Sequence, residues 1–94
     1  MKKLLLAALF AALPVSAKPT LEDCKAVSDL ASQIMKNRQY GVDMAKMYEI
    51  AKEDLSRQMI LQAFEVPMYQ TEKNKQIEIS KFKNSWFKSC VKIM

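Results

Sequence analysis

Cys24 and Cys90 are the only cysteines of this 94-residue chain, and 66 positions separate them. A bond between them brings the first and last parts of the folded region together, so every candidate fold must place its two ends side by side. Two thiols in an oxidising compartment favour such a bond. In the chain-entropy picture a loop this long stabilises by roughly 4 kcal/mol, comparable with the whole stability of a small domain. Two free thiols, or a bridge between two copies, are the alternatives.

The compartment is read from the first 17 residues. Met1-Lys2-Lys3 is a short positive start, Leu4 to Leu13 is an unbroken run of Leu, Ala and Phe, and Val15-Ser16-Ala17 places small residues where a signal peptidase cuts. Residues 1–17 are therefore expected to be a cleavable signal peptide and residues 18–94 a single helical domain. The apolar run is half of the about 20 residues that a membrane-crossing helix needs. Lys18 stands where a lipoprotein would need a cysteine. The expected location is the periplasm or the medium, with a bacterial or phage origin; the competing reading is a cytosolic protein with a greasy first helix.

Losing Lys2 and Lys3 takes the 15 basic residues to 13 against 10 acidic ones, and the net charge from +5 to +3. Residues 18–72 carry seven Lys or Arg and nine Asp or Glu, whereas residues 73–94 carry six Lys and one Glu. All of the positive excess lies in the last segment, where it can steer an acidic partner or an anionic lipid surface.

Gly41, Pro19 and Pro67 are the only Gly and Pro residues after residue 17, and no stretch sustains the alternation of a strand. The expected fold is all-α, a small bundle of three to four helices with the first and last joined by Cys24–Cys90. Thr20, with Asp23 three residues on, predicts a capped first helix, whose face of Cys24, Val27, Leu30, Ala31, Ile34, Met35 and Arg38 runs to a stop at Gly41. Asp43 is expected to cap a second helix ending near Asp54, and a third runs from about Ser56 to Glu65 before Pro67 halts it. The stretch Glu53 to Ser56 offers the break between them, so two helices are preferred over one bent helix. Thr71 is expected to cap a last helix reaching about Val91.

Along that last helix Ile79, Phe82, Trp86, Cys90 and Ile93 recur at three- and four-residue spacing and form a core stripe. Cys24 lies on the core face of the first helix. For the two thiols to meet, these helices must run antiparallel, with the middle helices packed across the pair. A second stripe, Ile77, Phe87, Val91 and Met94, lies on another face, with Lys73, Lys81, Lys88 and Lys92 close to it. A helix apolar on two sides is either central to its bundle or presents one side to something else. Ile77, Lys81, Phe87, Lys88, Val91, Lys92 and Met94 are accordingly the candidate interaction surface, for an envelope protein, a second copy, or an anionic membrane surface.

Chemistry is harder to find. The chain has no histidine, which removes the commonest general base and the commonest zinc ligand. No carboxylate pair sits in an apolar setting, no nucleophile elbow is present, and one glycine cannot build a phosphate-binding loop. Neither an enzymatic activity nor a cofactor or metal is expected, and Cys24 and Cys90 are far from a Cys-x-x-Cys redox spacing. Met44 and Met47 have a spacing that suits soft copper, but methionine fills helical cores and adaptable surfaces more often. Nucleic acid is disfavoured, because only two arginines, Arg38 and Arg57, are present.

The early Cys24, the run Arg38-Gln39-Tyr40-Gly41 closing the first helix, Ala63-Phe64 before Pro67, and the aromatic-lysine run into Cys90 together resemble small exported two-cysteine helical proteins of bacteria and phages. That resemblance implies compartment and little mechanism. In size, helicity and a single disulfide the chain is also similar to periplasmic acid-stress chaperones of the HdeA type, though it is weighted toward lysine. The expected function is a noncatalytic secreted or periplasmic interaction protein, phage-encoded or bacterial, acting on an envelope component. An acid-stress chaperone and a cationic membrane-active protein are the alternatives.

Overall fold

Thr20 begins the first helix through a reciprocal box: its hydroxyl accepts from the Asp23 backbone N–H at 3.1 Å, and the Asp23 carboxylate accepts from the Thr20 N–H at 2.9 Å. The computed structural model describes residues 18–94, and the expected signal peptide, residues 1–17, lies outside the described residues. Four helices follow in order, α1 (Leu21–Gln39), α2 (Met44–Ile50), α3 (Asp54–Ala63) and α4 (Glu72–Val91), with no strand among the described residues. The fold is all-helical, and Cys24 and Cys90 join the first helix to the last with their Cα atoms 5.5 Å apart.

Each helix stops for a local reason. Gly41 takes φ +88°, and the N–H groups of Gly41 and Val42 donate back to the carbonyls of Arg38 and Asn37, which closes α1 in a Schellman arrangement. α2 is shorter than expected: it ends at Ile50, and Ala51 to Glu53 form the break, which begins two residues earlier than the Glu53 to Ser56 stretch. Two backbone acceptors near that end, Tyr48 and Ala51, are satisfied by Arg57 of α3 at 3.2 and 2.8 Å. Asp43 stands at the N-cap of α2 but its side chain makes no cap bond. The Thr71 hydroxyl accepts from the Asn74 N–H at 3.1 Å and starts α4.

α1 and α4 form the principal pair and run antiparallel, with the disulfide at one end and a hydrogen bond from Lys75 to the Gln39 carbonyl at the other. α3 also packs on α1, and α2 packs on α3. Met59, Ile60 and Ala63 of α3 share one core with Ile79 of α4, against which Phe82 and Trp86 also pack, so the middle helices close over the α1/α4 pair as expected. α1, which packs on both α4 and α3, is the central helix rather than α4. Composition permits this: α1 offers a second apolar side, Val27, Leu30 and Ile34, beside the Cys24, Ser28, Ala31 and Met35 row that meets α4. Small residues at Ser28 and Ala31 let the two long helices approach closely.

The core is built from Ala31, Ile34, Met35, Met47, Met59, Ile60, Ala63 and Ile79. Met35 and Met59 are completely enclosed, and Met44 and Met47 both belong to this cluster or pack against it. Their spacing is used for packing, as flexible thioethers suit the irregular space between helices of unequal length. Of the expected core stripe of α4, Ile79 is buried, Phe82 and Trp86 are partly covered and stand edge to face with centroids 6.5 Å apart, and Cys90 is half-buried. Ile93 departs from the expectation. It lies beyond the end of α4 at Val91 and is 63 % exposed.

Candidate interaction surface

The surface question turns on α4, because only Ile79 of its 20 residues is fully buried. The helix leaves much of its circumference open. Ile77 is 44 % exposed and Met94 47 % exposed, whereas Phe87 and Val91 are half-buried. Phe87 leans onto the flank of α1, where it lines a shallow hollow of about 320 Å³ with Lys25, Ser28, Asp29, Lys83 and Asn84. Ten residues of helix separate Ile77 from Phe87, roughly 15 Å. The second stripe is therefore two patches: Ile77 alone on the first half of α4, and Phe87, Val91 and Met94 together near its end.

The lysines of this surface differ in their freedom. Lys81 lies 3.3 Å from Glu78 one turn back, an exposed pair of little energetic weight. Lys88 and Lys92 are exposed, and among the described residues neither has an ion-pair partner. Lys75, on the same helix, is instead committed to structure. Its ammonium donates to the backbone carbonyls of Gln39 and Tyr69 and sits 5.3 Å from the Tyr40 ring centroid.

That lysine belongs to a polar node at the far end of the α1/α4 pair. Gln39 is 0 % exposed; its amide nitrogen donates to the Pro67 carbonyl at 2.9 Å, and its amide oxygen accepts from the Tyr69 N–H at 2.9 Å. Arg38 donates from Nε to the Val66 carbonyl at 3.0 Å and lays its guanidinium over the Phe64 ring at 4.6 Å. The Tyr40 phenol donates to the Glu72 carboxylate, which also accepts from the Gln76 amide at 3.0 Å. These bonds, with nearby Lys75 and Lys36, hold the Glu72 carboxyl below its ordinary value of 4.5. The same bond from Tyr40 to Glu72 raises the phenol above 10.0.

The run Arg38-Gln39-Tyr40-Gly41 is thus a clamp on the α3–α4 connection. Its composition marked it in the sequence, but its partners lie 28 to 32 residues away, beyond the reach of any spacing rule. Arg57 plays a matching part for α2, bonding its last carbonyls and stacking 4.5 Å over the Tyr48 ring. Both arginines are spent inside the fold.

Two apolar depressions flank the contact between α1 and α3. One, about 440 Å³, lies at the disulfide end and is lined by Pro19, Val27, Leu55, Trp86, Cys90 and Ile93, with Lys18 and Asp23 at its edge. The other, about 460 Å³, opens between α1 and α2. Among the described residues no group of three or more His, Cys, Asp or Glu is placed to hold a metal ion, and no helix is long and apolar enough to cross a membrane. The open flank of α4 carries apolar patches bordered by the exposed ammonium groups of Lys88 and Lys92. No family model, curated protein or solved structure matches this chain.

Proposed function

We propose that this chain is a noncatalytic exported interaction protein that acts on a component of the cell envelope, with the open flank of α4 as its contact surface. The observation that carries this reading is the burial of α4: a 20-residue helix with Ile79 alone fully buried bears Phe87 and Val91 beside Lys88, and Lys92 and Met94 follow directly after its end. Apolar side chains gathered beside unpaired charge are the usual composition of a surface that another molecule covers. The lysines select an acidic partner by electrostatic steering.

The test combines Ile77→Glu, Phe87→Glu and Met94→Glu and captures partners from an envelope fraction with the oxidised protein. Loss of capture with an unchanged circular dichroism spectrum is the expected result. If every interaction persists while the fold survives, the surface is wrong.

An acid-stress chaperone is the second reading, favoured by the carboxylate of Glu72 that joins α4 to Tyr40 of α1. In acid the chain becomes strongly positive as carboxylates take up protons, from about pH 4 downward for ordinary ones, and that join is lost once pH falls through the lowered value of Glu72. Suppression of client aggregation at pH 2 to 3 and its absence at pH 7 is the expected behaviour; equal activity at both pH values sinks this reading.

A further inference from the structure

We propose that the trough between α1 and α2 binds a long-chain fatty acid, with its alkyl chain on the apolar floor and its carboxylate between Lys46 and Lys52. The trough arises because α2 packs chiefly on α3, so α1 and α2 become two walls with Ser56 and Ile60 of α3 between them. Its floor is apolar, formed by Ile34, Met47 and Ile60. Ile50 stands in its lining and is 69 % exposed, the most exposed of the large apolar side chains among the described residues. An isoleucine left this open beside an apolar floor is relieved by a ligand that covers both.

Charge gives the ligand its head. Lys46 of α2 and Lys52 of the turn after it flank Ile50 in the sequence, both exposed, and among the described residues neither has an ion-pair partner or a side-chain hydrogen bond. Glu53 is also at the rim, so the mouth carries a net positive charge of one, which suits a single carboxylate and opposes a cationic amphiphile. The volume of about 460 Å³ lies within the roughly 300–1,000 Å³ of small-ligand sites. It suits one alkyl chain and not the two chains and bulky head of a phospholipid. A docked helix is about 10 Å across and needs more room than this for two turns. No residue of α4 lines the trough, so this inference stands apart from the reading of the α4 flank.

The experiment titrates the oxidised protein with 11-(dansylamino)undecanoic acid and follows dansyl fluorescence, then competes the probe with palmitate, hexadecanol and hexadecyltrimethylammonium. Saturable binding is expected, with palmitate displacing the probe and the other two at least roughly tenfold weaker. Ile50→Asp, at an exposed position that leaves the fold intact, weakens binding roughly tenfold. Lys46→Glu with Lys52→Glu does the same for palmitate and removes its advantage over hexadecanol. Ile93→Asp, in the depression at the disulfide end, leaves binding unchanged. Absence of saturable binding overturns the proposal, as do equal competition by the three amphiphiles, full binding by Ile50→Asp, loss of binding in Ile93→Asp alone, or fluorescence enhancement only when phospholipid vesicles are present.

Discussion

The Tyr40 phenol donates its hydrogen bond to the Glu72 carboxylate, tying the C-cap of α1 to the first turn of α4. Glu72 is there for two reasons, since a carboxylate in the first turn also meets the positive end of its own helix. Both groups are exposed, so the tie is a pH-dependent adjustment to stability and not its foundation.

The sign of that dependence follows from the two shifts. Glu72 is lowered from 4.5, so its contribution is complete above the unfolded value and is lost as pH falls through the lower folded value. Tyr40 is raised from 10.0, so its contribution is complete below 10.0 and is lost as pH rises through the higher folded value. Glu72→Gln is expected to lower Tm between about pH 5 and 9 and to converge with the parent only as pH falls through the lowered folded value of Glu72. Thermal melts at pH 3 and pH 7 measure the gap, and an equal gap at both values contradicts the assignment.

Gln39→Leu keeps the volume of a buried side chain and removes its bonds to Pro67 and Tyr69. The Pro67 carbonyl and Tyr69 N–H then lose their partner, at a cost of about 2–3 kcal/mol. Urea denaturation read by tryptophan fluorescence is expected to show a lower midpoint with an unchanged slope, because the compactness of the native state is retained.

Reduction of Cys24–Cys90 removes the closure of a loop spanning 66 positions, and the loss of stability is at most roughly 4 kcal/mol. The two ends of α4 then part company in hydrogen exchange. Residues 86–91 exchange faster, while residues 72–79 remain protected by Lys75, the Tyr40–Glu72 bond and the buried Ile79. Uniform loss of protection along the helix would show that the polar node does not act independently.

Gly41→Ala places a side chain at φ +88°, where the nearest obstacle to a Cβ is the Met68 Sδ at 4.0 Å. Space is available, so the cost is backbone strain of about 1 kcal/mol. The Tm is expected to fall by a few degrees without a change in helix content, and a clash-sized loss would point to tighter packing around Met68.

Local signals in the sequence map directly onto the helices. Thr20 with Asp23, Gly41 and Thr71 each act within a few residues of themselves, and the helix ends they predict are the ones observed; the helix before Pro67 runs from Asp54 to Ala63 and not from about Ser56 to Glu65. The cysteine pair also fixed the antiparallel course of α1 and α4. The order of packing was not legible, because α1 and α4 both carry two apolar sides and only three-dimensional fit decides which is central. Ile93 illustrates the same limit from the other direction: its spacing continues the Cys90 stripe, but the helix has ended at Val91, so periodicity no longer specifies a face. The burial of Gln39, a polar side chain, rests on Pro67 and Tyr69, which no local pattern pairs with it. The proposed α4 surface was legible as a set of residues, while its division into the Ile77 patch and the Phe87 to Met94 patch depends on how α4 leans on α1.

The disulfide also has a practical side. Lys18 and Ile93 line the same depression, so anything attached directly ahead of Lys18 or behind Met94 leaves the described residues at a single pole. An affinity tag or immobilisation linker placed there crowds the Phe87 to Met94 patch and the neighbouring depression together, and a binding assay run that way underreports both. A label on Lys52, in the exposed turn between α2 and α3, spares that pole and instead guards the trough, so two differently oriented sensors would separate the two surfaces by which one each leaves uncovered.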